Sequence, residues 1–154
     1  MSVYVQIMML LEQDLDIRSI TVMVQKEAGT RLCALPGTRD AGAVSAAVRY
    51  YTSPKVLFDV PKESFMPSPK VDSCVIKLDI LEQPPVFIAD KKKFFSMIKA
   101  AFAQRRKTAC NSISSGMGIS KQQVKDALIK CGLPENVRAE ALSMQELAGL
   151  SNNL

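Results

Sequence analysis

The period of the hydrophobic pattern changes at residues 81–85 (LEQPP), and no other feature constrains the fold of this chain as much. Before this point apolar residues recur both at helical spacing and in strict alternation. After it only helical spacing remains, which predicts an α/β part followed by an all-α part. The adjacent prolines make residues 81–85 a linker. The expected boundary is near residue 85, with domains at 1–85 and 86–154.

In the first part, residues 7–11 form an apolar helical run and residues 20–24 a β-branched strand. Residues 42–51 bring Val44, Ala47, Val48 and Tyr51 to helical spacing, after a turn cluster at residues 35–38 (LPGT). Residues 55–60 (KVLFDV) and 72–80 (DSCVIKLDI) alternate apolar and polar side chains, as strands do. The ten residues between them, 61–70, carry Pro61, Pro67 and Pro69. Each proline fixes its own φ and pushes its predecessor toward extended backbone, so a stiff loop presents Phe65.

In the second part a helix is expected over residues 90–108, with Phe94, Met97, Ile98, Ala101 and Phe102 on one side and Lys92, Lys99, Arg106 and Lys107 on the other. Arg105 falls among the apolar positions. It either pairs with a buried acceptor or marks where the helix leaves the core. Ser120 and Gln123 form a capping box for a helix with an apolar stripe of Val124, Leu128 and Ile129, closed by Gly132 and followed by Pro134. Ser143 and Glu146 open a last helix in the same way. The result is a small helical bundle. Residues 118–132 also have the outline of a helix-turn-helix, a pattern that ordinary bundles share.

Charge and composition narrow the chemistry. The net charge of +5 lies entirely after residue 80, where eleven basic side chains face six acidic ones. From residue 91 to residue 125 there are nine Lys or Arg and no Asp or Glu, which points to an anionic partner, nucleic acid first. The plainer reading of Arg105, Arg106 and Lys107 is a solvated helix end that complements its own dipole. Histidine is absent, which removes the commonest general base and metal ligand. Cys33, Cys74, Cys110 and Cys131 are too scattered for a zinc or redox motif and read as reduced core thiols. Gly29 and Gly37 make no nucleotide-binding loop. No apolar run approaches the ~20 residues of a membrane span, and a cytoplasmic location is expected. By spacing alone Phe65 is a core plug; a rigid aromatic of this kind also serves as a stacking platform for an unpaired base.

Four segments in order carry a resemblance: Val24-Gln25-Lys26-Glu27-Ala28 with Arg31-Leu32; Pro36-Gly37-Thr38; Phe65-Met66-Pro67-Ser68-Pro69-Lys70-Val71-Asp72-Ser73; and Ala101-Phe102-Ala103-Gln104-Arg105-Arg106-Lys107-Thr108. Together they resemble the ribosomal RNA adenine dimethyltransferases, on the small-subunit branch rather than the macrolide-resistance branch. The resemblance implies transfer of methyl groups from S-adenosylmethionine to two adjacent adenines of small-subunit rRNA. It implies the C-terminal part of a Rossmann-like class I methyltransferase sheet followed by a helical RNA-binding domain. Phe65 then matches the aromatic that stacks on the flipped adenine, and Arg105, Arg106 and Lys107 match the basic segment that docks rRNA, with Lys92 and Lys99 beside it.

The family's glycine-rich cofactor loop, its ribose-binding acid and its Asn-Leu-Pro-Tyr motif lie upstream of the part that resembles this chain, and Tyr4 is not in that motif. The expectation is therefore a portion that docks small-subunit rRNA or the pre-ribosomal subunit, binds no S-adenosylmethionine and is inactive alone. Its incomplete sheet invites self-association. The alternative is a non-catalytic RNA-binding or ribosome-assembly module.

Overall fold

A computed structural model describes residues 2–154. The chain begins with helix α1 (Val3–Glu12), where the Ser2 hydroxyl accepts from the Val5 amide. Strand β1 (Ser19–Gln25) follows and runs directly into α2 (Lys26–Leu32). Then come α3 (Ala43–Tyr51) and two strands, β2 (Thr52–Val60) and β3 (Ser73–Ile80). The sheet order is β1-β3-β2, with β3 antiparallel to both neighbours. The fold class is α/β, as the period change predicts.

Strict alternation decides which face of the sheet is buried. Ile20 and Val24 on β1 and Cys74, Ile76 and Leu78 on β3 point to one side, where Ile7 and Leu11 of α1, Leu32 of α2 and Val48 of α3 cover them. Helix α2 has no counterpart in the sequence analysis, because Gly29 and Thr30 are weak helix formers. Packing overrides that weakness. A Cβ on Gly29 would lie 2.2 Å from the Cys74 sulfur, so only glycine lets α2 approach the sheet this closely.

After Ile80 the chain is helical: α4 (Lys91–Phe102), α5 (Ala109–Met117), α6 (Lys121–Lys130) and α7 (Met144–Asn152). Phe94, Met97, Ile98 and Ala101 are buried as the helical wheel requires, and Phe102 is partly buried against them. Three details correct the expectation. Helix α4 ends at Phe102 rather than near residue 108, because Thr108 caps a separate helix by accepting from the Asn111 amide. Ile129 is 60% exposed, because Val124, Ala127 and Leu128 already fill the buried stripe and the next residue turns about 100° away from it. Ser120 caps α6 through the Gln123 amide, without a reciprocal bond from the Gln123 side chain. The Ser143 and Glu146 box is complete.

Helix α3 belongs to both hydrophobic cores. Val48 packs with the sheet, whereas Ala46 and Tyr50 pack with α4 to α7. Tyr50, Tyr51, Phe94 and Phe95 form one aromatic cluster, with the Tyr51 and Phe95 rings parallel at 5.8 Å and the Lys91 ammonium 4.7 Å from the Tyr51 ring centre. The junction is held at its far end by Asn152, whose side chain accepts from the Ala89 amide and donates to the Phe87 carbonyl, both at 2.9 Å.

Helices α4 and α5 meet at Gly116, where a Cβ would lie 2.9 Å from the Ala100 Cα, and the Ser112 hydroxyl donates to the Ala100 carbonyl nearby. Because the obstacle is backbone, Gly116→Ala should destabilise the chain by about 1–3 kcal/mol in urea unfolding. Burial pushes the Cys74 and Cys33 thiols above the ordinary cysteine value, with Arg49 opposing the shift at Cys33 and Asp59 adding to it at Cys74. The folded chain thus keeps protons that the unfolded chain loses. This contribution is complete below the ordinary thiol pKa and disappears as pH rises through the raised values. Urea midpoints measured from about pH 7 to about pH 10 should fall at the alkaline end, and Cys74→Ala should flatten that fall.

Candidate nucleic-acid interface

The basic residues after α4 sit in a turn, not on a helix. The α4 ladder ends with the Ala103 amide bonded to the Ala100 carbonyl, and a further turn closes with the Lys107 amide on Gln104. Ala109 then begins α5 with its amide held by the Val137 carbonyl. Residues 103–107 are all exposed, so Arg105, Arg106 and Lys107 project from a short loop tied at both ends to packed helices.

Both sequence readings of Arg105 hold in part. The residue lies beyond the end of the helix, and its Nη2 donates to the Arg39 carbonyl at 3.0 Å and the Ala41 carbonyl at 3.4 Å. The acceptors belong to the loop before α3, so Arg105 braces one part of the chain against the other. They are neutral carbonyls, and Arg105 enters no ion pair among the described residues. Lys92, Lys99, Arg106 and Lys107 are exposed and enter no ion pair among the described residues.

These cations are distributed over three surfaces. Lys99 and Arg105 border a cleft of ≈ 510 Å³ between the sheet part and α4, together with Tyr4, Arg31, Gly42 and Phe102. Arg105, Arg106 and Lys107 border a shallower groove with Gln104. Lys92 lies apart from them, in a groove with Lys93, Ser96 and Gly116. The structure therefore groups four of the five predicted basic residues and separates Lys92. Arg31 from α2 also borders the cleft, with its Nη2 on the Glu27 carboxylate at 2.9 Å; its charge was not among the basic residues expected at the interface.

Phe65 lies in the loop between β2 and β3, immediately after a single 3₁₀ turn at Lys62–Ser64. The loop is stiffened by more than its prolines: the Lys62 amide donates to the Asp72 carboxylate at 2.9 Å, and the Ser68 hydroxyl donates to the Lys62 carbonyl at 2.9 Å. Phe65 is half-buried and belongs to neither hydrophobic core, and its neighbour Met66 is fully exposed. A groove of ≈ 480 Å³ at the base of the loop is lined by Lys26, Lys62, Lys70 and Asp72.

The one place where a strand runs straight into a helix is the junction of β1 and α2. Strand β1 passes into α2 without a glycine loop, and the first amide of α2, that of Lys26, is already taken by the Asp72 carbonyl. No group of His, Cys, Asp or Glu among the described residues is placed to hold a metal ion, and no helix is long and apolar enough to cross a membrane. The bracing by Arg105 is directly testable. Arg105→Ala should speed amide hydrogen exchange in residues 38–42 and lower stability by about 0.5–1.5 kcal/mol, whereas Arg106→Ala should do neither.

Known proteins share this sequence and this fold. The profile of the ribosomal RNA adenine dimethylase family matches residues 4–154. The chain is 45% identical over 149 residues to Ribosomal RNA small subunit methyltransferase A of Alkaliphilus oremlandii, covering 96% of this chain and 52% of the relative. It is 45% identical over 151 residues to the protein of the same name in Geobacillus thermodenitrificans, with the same coverage of each. The chain thus spans about half the length of these curated relatives and corresponds to their C-terminal part. Its fold is shared with a dimethyladenosine transferase from Plasmodium falciparum, with a TM-score of 0.71 at 19% identity over 94% of this chain and 59% of that one. It is shared also with the 23S rRNA methyltransferase ErmE, with a TM-score of 0.69 at 18% identity over 99% of this chain and 61% of that one. Because the match runs through almost every residue, the chain belongs to the ribosomal RNA adenine dimethylase family.

Proposed function

We propose that this chain is the RNA-docking and base-holding portion of an enzyme that dimethylates two adjacent adenines of small-subunit rRNA, and that by itself it docks RNA without transferring methyl groups. The observation that carries this reading is the turn after α4. Arg106 and Lys107 are exposed, make no ion pair among the described residues and are held between two packed helices, which suits cations that contact phosphate. Lys99 and Arg105 carry basic side chains into the adjacent cleft, which Asp40 also lines, and Lys92 would make a separate contact at the other end of α4.

In this reading Phe65 offers an aromatic face to an adenine taken out of its stack. Its place outside both cores and its braced loop support that role over the core plug. Methyl transfer to an amine requires positioning more than a strong base, which suits a chain without histidine. S-adenosylmethionine would be held by the part of the enzyme that the relatives have and this chain does not match. Two domains, 1–85 and 86–154, would then divide base-holding from RNA docking. The cell compartment is that of the pre-ribosomal small subunit, the cytoplasm.

Binding of small-subunit rRNA, measured by filter retention over a range of salt, tests the docking surface. Replacing Arg106 and Lys107 together by Glu should weaken binding and reduce the magnitude of the log–log salt slope by about 1.5, the share of two phosphate contacts. An unchanged affinity and slope would remove the turn from the interface. For Phe65, the complete enzyme carrying Phe65→Ala should methylate about tenfold to hundredfold more slowly while keeping its rRNA affinity within about twofold. A loss of folding stability with normal methylation per folded molecule would make Phe65 a structural residue. Calorimetric titration of the 154-residue chain with S-adenosylmethionine should give no binding heat. Micromolar binding would mean that the chain holds its own cofactor.

A further inference from the structure

Phe65 belongs to neither hydrophobic core, so something other than core packing sets its place. The backbone before it is the 3₁₀ turn Lys62–Ser64, which the Phe65 amide closes by donating to the Lys62 carbonyl at 3.3 Å. The first amides of such a turn have no partner within it, and Pro61, which precedes it, has no side-chain acceptor to offer. The cap comes from ten residues later: Asp72 Oδ1 accepts from the Lys62 amide at 2.9 Å.

Asp72 is itself fixed by its main chain. Its carbonyl accepts from the Lys26 amide at 3.0 Å, where β1 passes into α2, and the next residue, Ser73, begins β3 opposite Gln25. One residue therefore ties the loop to the sheet and to the start of α2. The Ser68 hydroxyl adds a second tie by donating to the Lys62 carbonyl at 2.9 Å, so the Lys62 backbone is held at both its N–H and its C=O. Lys26, Lys62 and Lys70 border the same groove as Asp72, yet its carboxylate enters no ion pair among the described residues. It is aimed at a backbone amide, which is the work of an acceptor and not of a charge.

We propose that Asp72 is a positioning residue for base holding: by capping the turn at Lys62 it fixes where the Phe65 ring stands above the sheet, without itself touching RNA or cofactor. The proposal rests on the reading of Phe65 as the aromatic beneath the extruded adenine. An aromatic that had to be ordered at each encounter would reduce the fraction of bound RNA whose adenine is in place for methyl transfer. The loss would therefore appear in the rate of the bound complex and not in the affinity for RNA. Because the task needs only an acceptor oxygen at the Lys62 amide, an asparagine at position 72 can perform it, and an alanine cannot.

Amide hydrogen exchange on the 154-residue chain gives the first readout. Asp72→Ala should speed exchange of the Lys62, Ser64 and Phe65 amides by about tenfold or more while leaving β3 as in the parent, and Asp72→Asn should keep the parent's rates. In the complete enzyme, Asp72→Ala should lower kcat for rRNA methylation about tenfold with KM for rRNA within about twofold, and Asp72→Asn should restore kcat to within about threefold of the parent. In a Phe65→Ala background Asp72→Ala should cost nothing more, because the ring it positions is gone. Equal losses with Asn and Ala overturn the proposal by making the negative charge the active feature. Unchanged loop exchange in Asp72→Ala, or a further loss on top of Phe65→Ala, also overturns it. Normal methylation by Phe65→Ala overturns the base-holding reading and the role of Asp72 with it, whereas a slow Phe65→Ala beside a normal Asp72→Ala overturns the role of Asp72 alone.

Discussion

Helix α3 is buried from two sides, and the rest of the structure depends on that fact. In nine residues it gives Val48 to the sheet core and Ala46 and Tyr50 to the helical core, with Tyr51 touching both. A helix between two cores cannot shift for one without disturbing the other, because interiors are packed too closely to absorb the movement. The aromatic cluster around Tyr50 and Phe95 and the bond from Arg105 to the loop before α3 strengthen the same joint. The two parts that the sequence separates by a linker each have a core, and both cores take residues from this one helix.

The degree to which this was legible follows from the range of each interaction. The β-branched run in β1, the alternation read in β3 and the helical spacing in α3 and at the start of α4 are local signals, and they found those elements within a few residues. The capping serines at 120 and 143 were legible because a cap acts over three residues. The failures depend on contacts between distant segments. Helix α2 exists because Gly29 fits against Cys74, forty-five positions later. The end of α4 was misplaced because a run of good helix formers continues through residue 107, whereas Thr108 and the distant Val137 carbonyl fix the start of the next helix.

The candidate site was legible by chemistry more than by place. A stretch of thirty-five residues with nine cations and no carboxylate announces an anionic partner in any conformation. Which of those cations stand together is a tertiary matter: Lys99 and Arg105 share a cleft with Arg31 from another part of the chain, and Lys92 does not join them. The stiffness of the loop holding Phe65 could be read from its prolines. Its anchoring by Asp72 and Ser68 could not, since either side chain has several backbone partners within reach.

The clasp at the end of the chain has a consequence of its own. Asn152 bonds to both Phe87 and Ala89, and Lys93 reaches the carbonyl of Leu154, so the last residues are fastened to the segment that leads from the sheet into the helices. Residues 87–93 are therefore bound to the end of the chain, and losing residues 152–154 would release the start of α4 as well.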